Sequence, residues 1–243
     1  NGNIPTSHPV QVIVDSTPPE LNAVADLEVR QFTPDGDGEN ESQVFRLSSN
    51  DITRITSYTL EISEVLRSDT ETKIFPVRTF KGEGDIPQSI YWDGRTENGS
   101  LVESLTYYQY TLTATDSYGN TTTTLPRLFQ TGILVTPVAN GFFIRITQIN
   151  LSDPADERIR LLYNILDKYL KYKVKTEVHA APSKGIEKNL RNTEKAARLV
   201  YEYLIAKGIA ADRLSYQGFG DTIPIYKGAA VQKNNRIDIY LTR

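Results

Sequence analysis

Four acidic side chains alternate along one short stretch, Asp35-Gly36-Asp37-Gly38-Glu39-Asn40-Glu41. Alternate carboxylates in a glycine-rich turn can converge their oxygens on a hard cation, so Asp35, Asp37, Glu39 and Glu41 are candidate ligands for Ca2+. The stretch departs from an EF-hand loop: Asn40 stands where the sharp turn wants glycine, and Arg46 where a bidentate Glu should be. The competing reading is a turn whose carboxylates are solvated or cap nearby amides. Other chemistry has little material to work with. The 243 residues include no Cys and two His, His8 and His179. That removes thiolate nucleophiles and leaves almost nothing for a Ser-His-Asp triad or a His-rich metal site. A catalytic carboxylate pair needs apolar walls that split its pKa values, and Asp35 and Asp37 lie in a turn. A non-enzymatic chain is expected, with no cofactor apart from calcium at this loop.

The length allows two ordinary cores. Hydrophobic residues at 39% and charged residues at 23% fit globular protein. No apolar run approaches the roughly 18 residues of a membrane helix. Met is absent even from position 1, so a mature or excised piece is expected. The net charge of −3 is unevenly spread. Residues 1–131 carry 9 Lys and Arg against 19 Asp and Glu, a balance of −10; residues 132–243 carry 18 against 11, a balance of +7. Opposite signs suggest two domains. The basic residues are scattered over helices and loops, so no nucleic-acid partner is expected.

Residues 1–19 end in the β-branched run Val10–Val14 and the stop Pro18-Pro19, which reads as the last strand of a preceding domain and a hinge. Residues 20–131 hold short β-rich runs at Ala23–Phe32, Gln43–Leu47, Ser57–Ile62, Thr72–Phe80, Ser89–Trp92 and Tyr107–Ala114, separated by turn clusters. Such spacing predicts an all-β sandwich. Residues 132–243 change period. Strands are predicted at Gly141–Ile149, Tyr172–His179 and Arg236–Thr242. One helix is capped by Asp153 with Pro154 in its first turn, and runs through Ile159, Leu162, Ile165, Leu166, Tyr169 and Leu170; a second spans Asn192 to Lys207, with Ala196, Leu199, Val200, Tyr203 and Leu204 as its stripe. The result is an α+β unit, β-α-β-α-β, with helices packed on a mixed sheet.

Two signatures give the β-half a likeness. Phe32-Thr33-Pro34-Asp35-Gly36-Asp37-Gly38-Glu39-Asn40-Glu41, and Trp92-Asp93-Gly94-Arg95 followed by Tyr107–Ala114 and Asp116-Ser117-Tyr118-Gly119-Asn120, resemble the Ig-like domain of the FlgD type. The ending of residues 1–19 is similar to junctions in tandem bacterial Ig-like arrays, which implies further such domains upstream. Trp92 is expected to plug the core.

Residues 138–243 resemble the OmpA-like, peptidoglycan-associated family. The likeness rests on Gly208-Ile209, Arg213-Leu214-Ser215, Gly218-Phe219-Gly220-Asp221, Pro224 and Asn234, then Arg236-Ile237-Asp238-Ile239, with Asn189, Thr193 and Ala197 upstream. The resemblance implies a bacterial cell envelope, in the periplasm or at the outer membrane, and peptidoglycan or a wall-associated protein as partner. It also implies a pocket in which an Asp and an Arg hold a diamino acid by charge-assisted hydrogen bonds. Here those two positions fall on Ala181 and Ala196, and the first Arg of the closing motif is Asn235. The degenerate pocket would be lined by Asp153, His179, Ala181, Asn189, Lys195, Ala196 and Arg236. Losing a buried charged partner costs roughly 2–5 kcal/mol, so wall binding is expected to be weak or altered. A surface-exposed adhesin with an Ig-like stalk is the alternative.

Overall fold

A computed structural model describes residues 14–27, 29–67, 71–153 and 157–243. The strand expected at Val10–Val14 falls almost wholly outside them, as does Pro154.

The N-terminal half is built from strands that bury alternate side chains. β1 (Glu20–Ala25), β2 (Gln43–Asn50) and β5 (Ser89–Trp92) form one antiparallel sheet; β4 (Thr72–Glu83), β3 (Ile55–Arg67), β6 (Tyr107–Asp116) and β7 (Thr121–Thr123) form another, and β8 (Arg127–Gln130) also pairs with β6. The sheets face each other across a core containing Phe45 and Leu47 from β2, Leu60 and Ile62 from β3, Ile90 and Trp92 from β5, and Tyr108, Tyr110 and Leu112 from β6. Phe129 stacks on Tyr108 at 5.6 Å and meets Trp92 edge-on at 6.1 Å, arrangements that suit the ring quadrupoles. Trp92 is a core plug, its indole N–H donating to the Arg95 carbonyl at 2.8 Å. The first predicted run is shorter than expected: β1 ends at Ala25, and Phe32 makes only an isolated bridge to Thr131.

The C-terminal half carries one mixed sheet in the order β12 (Leu214–Gly220), β11 (Lys173–His179), β13 (Arg236–Thr242), β10 (Gly141–Ile146), β9 (Thr136–Val138). Only β11 and β12 run parallel. Strand β12 was not among the predicted elements. Helices α1 (Glu157–Leu166) and α2 (Ile186–Ala206) share the second core with this sheet: Ile159, Leu162 and Leu166 meet Ala196, Ala197, Val200 and Leu204 over Ile144, Val174, Val178, Ile237 and Ile239. α1 stops at Leu166, ahead of the predicted Tyr169 and Leu170, and α2 begins six residues before the expected Asn192.

Contact between α2 and β12 depends on Gly218. A Cβ there would lie 2.2 Å from the Glu194 amide nitrogen and 2.6 Å from its Cα. The close approach lets Glu194 Oε2 accept from Gly218 N–H at 2.8 Å, and Thr193 Oγ1 accept from Gly220 N–H at 2.8 Å. Gly218→Ala is therefore expected to lower the unfolding free energy by about 3 kcal/mol, the upper range for overpacking. Gly185→Ala, whose Cβ would meet Lys188 Cβ at an ordinary 3.5 Å, should cost less than about 1 kcal/mol. Urea denaturation of both variants checks this; equal losses would remove the packing argument.

The halves are joined by more than a linker. Consecutive side chains of the connecting segment go to different cores, Ile133 to the C-terminal one and Leu134 to the N-terminal one, and Leu105 of the N-terminal half enters the C-terminal core. Ser104 and Ile146 form a parallel bridge across the junction.

Candidate functional site

The residues expected to line a pocket are spread over three environments. Ala196 does not line a pocket: it is 0% exposed within the core, because it shares one helical face with Thr193, Ala197 and Val200. Lys195, next to it, is exposed. Asp153 is exposed on a turn, its N–H donating to the Asn150 carbonyl, and the described helix begins only at Glu157. Burial removes Ala196 from the expected pocket lining, while Lys195 and Asp153 stay at the surface.

Ala181 and Asn189 do lie together, and the Ala181 backbone and the Asn189 amide nitrogen are bonded within the protein. Ala181 N–H donates to Asn235 Oδ1 at 2.7 Å. Asn189 Nδ2 is shared among Ser183 Oγ at 2.9 Å, Asp221 Oδ2 at 3.0 Å and the Ala181 carbonyl at 3.4 Å. Asp221 also accepts from Ser183 N–H at 3.1 Å, and this backbone bond together with Asn189 holds its carboxyl below the usual range against a smaller burial penalty. Asp221 is the last residue of the Gly218-Phe219-Gly220-Asp221 signature but was not among the expected site residues.

His179 and Arg236 occupy the sheet face opposite the helices, as directly paired residues of β11 and β13. Arg236 is 1% exposed; its Nε donates to Asp238 Oδ2 at 3.0 Å and its Nη2 to the Ile223 carbonyl at 3.1 Å. Arg145 grips the same carboxylate with two bonds, 2.7 and 2.9 Å. His179 is 2% exposed, stacks on Phe219 at 5.1 Å, and neither ring nitrogen has a hydrogen-bond partner among the described residues. Burial, reinforced by the Arg236 charge, pushes its pKa down to about 4 despite Asp238 and Glu177 nearby. Both are structural groups, closed to an outside ligand.

What remains open beside Asn235 is a cavity of about 500 Å³ at the junction. Asn150, Ser152, Gln232 and Asn235 line it from the C-terminal half, and Arg67 and Lys73 from the N-terminal half.

In the acidic loop, Asp35, Asp37 and Glu41 bring one carboxylate oxygen each within 4.8 Å of one another. Glu39 is not part of that group, and only its N–H takes part, donating to Asp37 Oδ1 at 2.8 Å. Burial, with Asp37 and Glu41 adding to it, pushes the Asp35 carboxyl up. Asp15, Asp51 and Asp116 form a second such trio.

A further charged centre, unforeseen in the sequence, joins the halves. Lys233 Nζ lies 2.9 and 3.0 Å from the two Glu64 oxygens and 2.9 Å from Glu103 Oε1. Glu103 also accepts from the Tyr226 hydroxyl at 2.6 Å and Thr147 Oγ1 at 2.9 Å. No helix among the described residues is long and apolar enough to cross a membrane.

No family model and no curated protein matches this chain. Solved structures do. The periplasmic domain of Helicobacter pylori MotB is 18% identical, over 46% of this chain and 79% of that one, with a TM-score of 0.40. The cell wall anchor of the type VI secretion system from Pseudomonas aeruginosa is 21% identical over 45% and 87%, TM-score 0.39. The OmpA-like domain of FopA1 from Francisella tularensis is 16% identical over 44% and 77%, TM-score 0.35.

Proposed function

We propose that this chain is a non-enzymatic structural module of the bacterial cell envelope. An Ig-like spacer of the FlgD type, residues 20–131, is docked onto an OmpA-like unit, residues 132–243, that associates with the cell wall or a wall-linked partner. The motif anchors of both halves support the reading, as do the two facing sheets around Trp92 and the mixed sheet under α1 and α2. One observation supports the functional part: polar groups at the place where the family's charged pair would act already have partners within the protein. Asn235 Oδ1 takes the Ala181 N–H, Asn189 is spent on Ser183 and Asp221, and Ala196 is core. A diamino-acid head group would have to break these bonds and would find no carboxylate–guanidinium pair in return. Any wall contact is then weak, or moved to the junction cavity beside Asn235.

Co-sedimentation with purified peptidoglycan, and calorimetry with a diaminopimelate stem peptide, test this beside an OmpA-like domain that keeps its Asp and Arg. The expected result is binding at least thirtyfold weaker, the lower end for losing a buried charged partner. Equal affinity would sink the reading. Binding to host matrix proteins without binding to the wall would favour the adhesin alternative.

A further inference from the structure

The acidic loop of the N-terminal half touches the segment that leads out of it. Val135 N–H, in the stretch between the two halves, donates to Asp35 Oδ2 at 2.6 Å. Asp35 is only 7% exposed, and its other oxygen, Oδ1, is buried without a well-formed hydrogen bond among the described residues, the Asp37 N–H being only a weak influence on the carboxylate. A buried carboxylate oxygen left without a donor is unfavourable, and a bound cation would relieve it.

The loop beside Asp35 is already folded back on itself. Gly36 and Gly38 adopt φ of +90° and +92°, a region that side-chain-bearing residues avoid. In that conformation both their N–H groups donate to Glu41 Oε1, at 2.8 and 2.9 Å. The loop thereby folds back so that Glu41 and Asp37 each set an oxygen within 4.8 Å of Asp35. The donor set is all oxygen, with neither imidazole nor thiolate, which suits a hard cation rather than zinc. Glu41 and Asp37 retain solvent access, leaving room for water to complete a coordination sphere of six to eight, as Ca2+ accepts and Mg2+ resists.

We propose that Asp35, Asp37 and Glu41 bind Ca2+, and that the ion fastens the loop to the interdomain segment through the Asp35–Val135 bond. The inference stands apart from any wall-binding role. Calcium neutralises three crowded carboxylates, supplies the missing partner of Asp35 Oδ1 and stiffens the joint at Val135.

The test uses the full chain freed of metal with a chelator. Calorimetry with calcium chloride is expected to show one site with Kd on the order of 10⁻⁴ to 10⁻³ M, the range of three-carboxylate sites in extracellular modules. Asp37→Asn, an exposed position, should weaken binding about tenfold or more while circular dichroism stays unchanged. Amide exchange at Val135 should slow with calcium in the parent chain and not in that variant. Absence of binding at 10-fold above that range overturns the proposal. So does a site that survives Asp37→Asn but is lost in Asp51→Asn, since that would place the ion on the other acidic trio.

Discussion

Replacing Lys233 by Met is expected to lower the unfolding free energy by about 3–5 kcal/mol, the usual result of removing one partner from a buried ion group. Lys233 is 6% exposed and its ammonium is shared by Glu64 and Glu103. Burial alone would lower its pKa, yet the two carboxylates outweigh it and the pKa is raised. Glu64 behaves differently. Its carboxyl is pushed up by burial and by Glu103, and Lys233 only partly offsets this. The two shifts agree once the stoichiometry is counted: one cation serves two anions, so the cation gains and the more deeply buried anion does not. Glu64→Gln should therefore cost about 1 kcal/mol or less, and Glu64→Gln added to Lys233→Met should recover part of the loss. Lys233 has a raised folded pKa, so its contribution is complete below about 10.5 and disappears as pH rises through the folded value. Urea titrations at pH 7 and pH 11, followed by Trp92 fluorescence, measure both effects. A Lys233→Met loss no larger than that of Glu64→Gln would refute the shared-ammonium account.

The second large effect is on the acid side. His179 is neutral in the fold, with a pKa near 4 against 6.5 when unfolded. A depressed folded pKa contributes stability that is fully present above pH 6.5 and is lost as pH falls toward 4. The shift corresponds to about 3 kcal/mol. The charges facing it are Glu177 on its own strand and Arg236 and Asp238 on β13, with Arg145 on β10 beyond. Asp238 cannot hold the imidazolium because it already serves two guanidinium groups. His179→Phe, stacking on Phe219, should flatten the stability curve between pH 6.5 and 4. Parallel curves for the parent and the variant would contradict the burial argument.

Much of this architecture can be read along the chain where burial follows a local period. β5 matches its predicted span because Ile90 and Trp92 alternate inward, and β11, which starts one residue later than predicted, follows from the alternation of Val174, Thr176 and Val178. β12 escapes because Gly218 and Gly220 carry no strand signal; their reason lies in the approach of α2, a tertiary cause. The first turns of α2 escape because Ile186 and Leu190 are exposed and Gly185 provides no side-chain cap. Ala196 had two incompatible assignments, the helical stripe and the motif position, and the helical phase decides in favour of the core. Lys233 could not be recognised at all: a lone Lys near a chain end signals nothing until Glu64, 169 residues away, folds against it. The acidic loop was legible in composition, but the exclusion of Glu39 needed the backbone turn.

Because neighbouring residues 133 and 134 are seated in opposite cores, the connection behaves less like a hinge than like a rivet. Any tension that separates the halves must first drag one large aliphatic side chain into water, a penalty on the order of 2 kcal/mol. Leu105 raises that threshold from the other side. A module joined in this way would transmit a pulling force between its two ends, whereas a flexible tether would dissipate it.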